Sequence, residues 1–140
     1  MDKQTISIIK ATAPILKSKG EEITTQMYFL LFNRYPEVKE LFKNAGKDQY
    51  KKLANAVYAY AANIDKLENL EKSIATITSK HVETNIKPEH YPLVGECLIQ
   101  AIKDVLKDDA TKEVIDAWSN AYTFLADVFI AKEKGLYEAK

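Results

Sequence analysis

A single cysteine, four glycines and four prolines in 140 residues leave little room for several kinds of architecture. With Cys97 alone, neither an intramolecular disulfide nor a site built from several thiolates can form, which points to a reducing cytoplasm. An excess of charge of one sign is also missing, since 20 Lys and Arg balance 20 Asp and Glu. Residues 1–70 carry 11 basic and 8 acidic side chains and residues 71–140 carry 9 and 12, so no polybasic face and no nucleic-acid partner are expected. No apolar run approaches the roughly 20 residues that cross a bilayer, and the first residues lack the apolar core and small-residue cleavage site of a secretory signal. We therefore expect one cytoplasmic domain over residues 1–140, without stable membrane insertion. A glycine-rich phosphate loop, a paired-cysteine zinc pattern and a serine nucleophile elbow are all lacking, which removes the usual nucleotide and hydrolase signatures.

What is present is a three- and four-residue recurrence of apolar side chains between sparse breakers, the mark of amphipathic helices. Ile6, Ile9, Ala13 and Leu16 share one face of a first helix that Asp2 caps, Pro14 kinks and Gly20 is placed to end. A second helix from about Glu21 to Arg34 turns Ile23, Met27, Leu30 and Leu31 inward, and Pro36 opens a short third with Val38, Leu41 and Phe42. The polar stretch Lys43 to Asp48, with Gly46, reads as a mobile loop. Leu53, Val57, Tyr60, Ala61 and Ile64 mark the next helix. Asp65 and Glu68 have capping-box spacing for a helix with the stripe Leu67, Leu70, Ile74, Ile77 and His81. Asn85 to Pro88 should form a turn into a long helix with Tyr91, Val94, Leu98, Ile102 and Val105 inward. Asp108 and Asp109 then read as N-caps of a last helix through Val114, Trp118, Ala121, Leu125 and Phe129 to about Lys134. The fold class is all-α, with no β-alternation, repeat or linker.

Few residues can carry chemistry. With only His81 and His90, several imidazoles cannot share a metal, but a haem iron needs a single protein ligand because the porphyrin supplies the rest. A lone histidine on an apolar stripe, as His81 is, more often belongs to the core or its boundary than to a metal. His90, in the first turn of a helix, is expected to be solvated. A ligating imidazole offers its second N–H to an acceptor behind it, which would give Glu133 and Tyr91 a joint purpose; spacing alone makes one a solvated charge and the other a core aromatic. Tyr28, between Met27 and Phe29, needs a partner if its hydroxyl is buried, either a ligand or a backbone carbonyl. Gln49 could donate into a pocket, although a glutamine at a helix start is usually solvated.

Taken in order from residue 5 to 133, the segments TISIIKATAPIL, ITTQMYFLLFNRYPEVKELF, AYAANIDKLENL, KHVETNIKPEHYPLVGECL and VIDAWSNAYTFLADVFIAKE resemble the bacterial haemoglobins. That family comprises the single-domain Vitreoscilla-type proteins and the globin domain of flavohaemoglobins. The Lys-His pair and the Lys-Pro-Glu-x-Tyr-x-x-Val-Gly run are its distinctive pieces. The resemblance implies a globin fold of roughly six to seven helices around one haem b, with His81 as the proximal iron ligand and Tyr91 and Glu133 as its hydrogen-bonded partners. It matches Tyr28 to the distal tyrosine that donates to bound O₂, Phe42 to the aromatic stacked on the porphyrin, and Gln49 and Leu53 to the distal pair above the iron. Ile86, Val94 and Leu98 would line the haem. The segment between Phe42 and Gln49 is shorter than the family pattern.

The expected ligands are O₂, nitric oxide and other small haem ligands, with high O₂ affinity from the Tyr28 hydrogen bond. The resemblance further implies dioxygenation of nitric oxide to nitrate, turning over only with electrons from a separate flavin and nicotinamide reductase, since no reductase domain is expected in this chain. O₂ storage or delivery to respiration and haem-based gas sensing are the alternative roles, and a haem-free contact protein is a further one. The chain is expected as a monomer or a homodimer.

Overall fold

The computed structural model describes residues 1–43 and 48–139, and among these it contains six α-helices joined by short 3₁₀ turns and no strand. The helices are α1 (Lys3–Arg34), α2 (Pro36–Lys39), α3 (Gln49–Ala62), α4 (Glu71–Glu83), α5 (His90–Leu106) and α6 (Lys112–Glu138). No helix among the described residues is long and apolar enough to cross a membrane.

Asp2 caps α1 as its sequence implies, its carboxylate accepting the Thr5 N–H at 2.7 Å. The helix then runs through Pro14 and past Gly20, so the two helices expected on either side of that glycine are one. Gly20 serves as a place of close approach rather than a terminator. A Cβ there would lie 3.3 Å from the Cβ of Ala54, which shows how near α3 crosses α1. Thr24, buried at this crossing, donates to the Tyr50 carbonyl at 2.9 Å and ties down the first turn of α3.

Four other expected boundaries differ. Asp65 does not cap a helix; it accepts Lys10 Nζ at 3.0 Å, residues Leu67–Leu70 form a 3₁₀ turn, and α4 begins at Glu71 without a side-chain cap. Asp108 and Asp109 lie in a 3₁₀ turn opened by Lys107 at φ 52, and the cap of α6 is Thr111, whose extended backbone lets its hydroxyl accept the Val114 N–H at 3.3 Å. Helix α6 continues beyond Lys134 to Glu138. Helix α3 ends at Ala62, just short of Ile64, where the Asn63 side chain bonds back to the Ala59 carbonyl at 3.0 Å. The loop expected from Lys43 to Asp48 falls mostly on residues 44–47, outside the described residues.

Helix α1 packs against α3, α5 and α6, while α4 packs against α6. One apolar cluster, including the fully buried Ile9, Leu31, Cys97 and Ala101, fills the space among α1, α5 and α6. Its one buried indole donates from Trp118 Nε1 to the Thr12 hydroxyl at 3.1 Å. A second cluster of Tyr60, Ile74, Tyr91, Ala126 and Phe129 lies where α3, α4, α5 and α6 meet. The space between the clusters is where the chemistry gathers.

Candidate functional site

A cavity of about 800 Å³ opens in that space. Met27, Tyr28, Phe42, Gln49, Leu53 and Val57 line it from α1, the turn after α2, and α3; His81, Ile86, Tyr91, Val94, Leu98 and Phe129 line it from α4, α5, α6 and the turn before α5. Every cavity residue singled out in the sequence is therefore on its wall. Glu133, which was also singled out, stands behind the wall and meets it through hydrogen bonds.

His81 is the third-last residue of α4, partly exposed to the cavity, with its ring tilted edge-to-face against Phe129 at a centroid distance of 6.3 Å. Both hydrogen bonds of its ring among the described residues fall on Nδ1, at 2.8 Å from Glu133 Oε2 and 3.1 Å from the Tyr91 hydroxyl. Tyr91 in turn donates to the same carboxylate, at 2.7 Å from Oε2 and 2.9 Å from Oε1. Burial, then the hydrogen bond to Glu133, holds the Tyr91 hydroxyl far above its ordinary pKa, so it keeps its proton and acts as a donor. A carboxylate only accepts, which assigns the imidazole proton to Nδ1 and leaves the lone pair on Nε2. Glu133 is only 3 % exposed, so a buried acceptor has been placed behind one nitrogen of a lone histidine.

On the other side of the chain's packing, Tyr28 is buried within an aromatic cage. Its ring meets Phe42 edge-on at 5.4 Å and 76°, and Tyr50 at 5.1 Å and 85°. Gln49 Nε2 donates to the Tyr28 hydroxyl at 3.3 Å. Burial raises the Tyr28 pKa, with Gln49 opposing it, so the hydroxyl accepts from the amide and retains its own proton. The Thr24 bond to Tyr50 ties the helix start that carries Gln49 to α1, the helix that carries Tyr28.

His90 departs from expectation. It is half-buried at the cavity rim, and its Nδ1 accepts the Lys87 N–H at 2.8 Å, closing the turn before α5. The sequence reading also missed Tyr122, whose hydroxyl donates to the Tyr91 carbonyl at 2.6 Å, and Tyr137, which donates to the Ile86 carbonyl at 2.6 Å. Tyr122 was legible as part of the stripe Trp118, Ala121, Leu125, being four residues after Trp118. Tyr60 and Phe129, read only as core, also line the cavity; their rings pack edge-on at 5.7 Å.

A globin family profile matches residues 25–129. The chain belongs to the globin family. This globin is 55% identical, over 98% of its length and 97% of the relative's, to an uncharacterised globin-like protein of Aquifex aeolicus. It is 50% identical to a flavohaemoprotein of Oceanobacillus iheyensis and 48% identical to one of Bacillus subtilis, spanning 35% of each of those longer proteins. Among solved structures, it superposes with a TM-score of 0.96 on an engineered carbene transferase from Rhodothermus marinus, a nitric oxide dioxygenase candidate, at 40% identity over 99% of this chain and 97% of that one. A bacterial globin from Campylobacter jejuni superposes with a TM-score of 0.91 at 41% identity, over 98% and 99%.

Globins bind haem, and the residues present fit that group. Among the described residues no cluster of three His, Cys, Asp or Glu could hold a bare metal ion; of the two cavity histidines, His90 has its Nδ1 engaged by the Lys87 N–H, which leaves the single imidazole of His81, backed by a buried carboxylate, as the donor for iron. That donor set suits an iron whose remaining ligands come from a porphyrin. The wall is mainly aliphatic and aromatic, as a flat apolar macrocycle requires, and the His81 ring that lines it is held through Nδ1, with Nε2 left free of hydrogen bonds among the described residues.

Proposed function

We propose that this globin holds one haem b in the 800 Å³ cavity, with His81 Nε2 as the iron ligand, and acts on O₂ and nitric oxide there. When bound, the haem supplies a ferrous iron that takes diatomic gases and exchanges single electrons. The His81, Glu133 and Tyr91 network is the observation that carries the reading. A carboxylate 2.8 Å from Nδ1 draws the imidazole toward imidazolate character, which makes it a stronger electron donor and favours gas activation over easy release. Tyr28 contributes a hydroxyl proton from the other group of helices, and Gln49 and Phe42 hold that hydroxyl in place.

The overall reaction we assign is dioxygenation of nitric oxide, in which one nitric oxide, one O₂ and one electron yield one nitrate. The flavohaemoprotein relatives support it, and the electron then comes from a flavin-dependent reductase. A Tyr28 hydrogen bond worth about 1–3 kcal/mol slows O₂ loss by roughly fivefold to 150-fold. That retention also suits O₂ storage or delivery, which makes reaction with nitric oxide the deciding measurement.

Purified protein reconstituted with haem should give a Soret band that changes in His81→Ala. The oxygenated protein mixed with nitric oxide should release nitrate in equal amount to haem. Absence of the Soret band refutes the haem assignment, and haem-loaded protein that releases no nitrate refutes the dioxygenase reading in favour of O₂ delivery. In Tyr28→Phe the O₂ off-rate should rise by the factor above; an unchanged rate removes Tyr28 from the account.

A further inference from the structure

Helix α6 does not stop where its apolar face stops. From Ala131 to Ala139 one residue is buried, Glu133, and one is half-buried, Tyr137. Four residues apart, they fall on the same side of the helix. Glu133 reaches the His81 imidazole at 2.8 Å. The Tyr137 hydroxyl donates to the Ile86 carbonyl at 2.6 Å, and Lys87 Nζ sits 4.0 Å from the centre of the Tyr137 ring.

The acceptor of Tyr137 belongs to the structure that ends the histidine's own helix. Asn85 takes the left-handed conformation, φ 63, and the turn closes with Asn85 N–H to Val82 O at 3.2 Å and Ile86 N–H to His81 O at 2.9 Å. These are the two bonds of a Schellman cap, with His81 supplying the outer carbonyl. The Thr84 hydroxyl adds a bond to that carbonyl at 3.2 Å. Residue Ile86 is thus bonded through its N–H to the His81 backbone and through its carbonyl to Tyr137.

We propose that Tyr137 is a positioning residue for His81, so that the end of α6 grips the histidine at two points, the imidazole through Glu133 and the capping turn through Tyr137. This rests on the reading of His81 as the iron ligand. Hydrogen bonds weaken steeply with misalignment, so a shift of the capping turn that swings the His81 ring against a fixed carboxylate weakens the Nδ1 bond and its electron donation. Gly135 lies between the two gripping residues, and a Cβ built on it meets nothing within 4 Å. Glycine is the poorest helix former other than proline, so Gly135→Ala should strengthen the grip without touching either contact.

The test reads the iron–histidine stretching band of the ferrous haem-loaded protein by resonance Raman, together with amide exchange at Ile86 in the protein as purified. Tyr137→Phe, which keeps the ring over Lys87 but loses the hydroxyl, should lower and broaden the band and speed Ile86 exchange. Gly135→Ala should slow that exchange by up to roughly fivefold. In a Glu133→Gln background, Tyr137→Phe should move the band no further, because its effect passes through the Glu133 bond. The proposal is overturned by an unshifted band in folded Tyr137→Phe, or by an equal shift with and without Glu133. A wild-type protein that binds haem but shows no iron–histidine band refutes the His81 assignment instead; the Tyr137 grip then stands or falls on Ile86 exchange, with no change in Tyr137→Phe refuting it.

Discussion

Replacing Gly95 by alanine adds one methyl group, and two opposing effects decide the sign of the outcome. In a helix interior, alanine is favoured over glycine by about 1 kcal/mol. At this position in α5, however, the new Cβ would lie 2.6 Å from Tyr122 Cε2, 2.9 Å from Cδ2 and 3.2 Å from Cζ. Carbon contacts are favourable near 3.5–4.0 Å, so the ring must withdraw by ~1 Å. It has little freedom to do so, because Tyr122 packs against both apolar clusters and its hydroxyl is bonded to the Tyr91 carbonyl at 2.6 Å. Overpacking of this kind costs about 1–3 kcal/mol and a strained or lost hydrogen bond roughly 0.5–1.5 more. Steric crowding outweighs propensity, and Gly95→Ala should destabilise the protein by about 1–3 kcal/mol, or roughly 3–10 °C in Tm for a chain of this size. Urea unfolding followed by circular dichroism measures it. Two controls isolate the cause: Gly135→Ala, in open space, should stabilise by about 0.5–1 kcal/mol, and in a Tyr122→Ala background Gly95→Ala should turn stabilising. A Gly95→Ala protein as stable as its parent, with Tyr122 intact, refutes the reasoning.

Removing the acceptor behind His81 should be costly, since Glu133→Leu strands a half-buried imidazole N–H and the buried Tyr91 hydroxyl; we expect a loss of roughly 2–5 kcal/mol by urea unfolding, and Tyr91→Phe should be less harmful in that background than alone. Alkali should also unfold the protein, because burial raises the pKa values of Tyr28, Tyr91, Tyr122 and Tyr60, the last to about 12. The unfolded chain releases those protons first, near pH 10, so stability is complete below about pH 10 and falls above it by up to ~1.4 kcal/mol per pH unit for each tyrosine; a flat urea midpoint between about pH 8 and 11 contradicts this. Thr111→Ala should cost about 1 kcal/mol as the loss of the α6 cap, whereas Asp108→Ala and Asp109→Ala should stay within about 0.5 kcal/mol; equal losses from all three would restore the aspartates as caps.

Periodicity revealed the helices and the faces they bury. The stripe Tyr91, Leu98, Ile102 is buried, with Val94 and Val105 half-buried beside it, because a helix repeat is a local property and every turn displays it. Boundaries were less legible for an equally physical reason. Gly20, Asp65 and Asp108 have side chains suited to ending or starting helices, yet each is used otherwise: Gly20 lets α3 approach, Asp65 pairs with Lys10, and Asp108 sits in a turn that Thr111 follows as the cap. Such residues permit a boundary, and tertiary packing selects which of them act. The resemblance to bacterial haemoglobins supplied roles for Tyr28, Gln49 and His81 that spacing alone left beside ordinary core readings.

The sequence by itself determined an all-helical chain, one cysteine without a partner, and one histidine on an apolar stripe with candidate residues for its neighbours. Only tertiary structure decided that Glu133, 52 residues away, reaches that histidine's Nδ1, and that Tyr137 reaches the turn capping its helix. The first set of facts follows from short-range periodicity and composition. The second depends on how α6 lies across α4, which is fixed by the burial of two apolar clusters and has no local signature at residue 133 or 137.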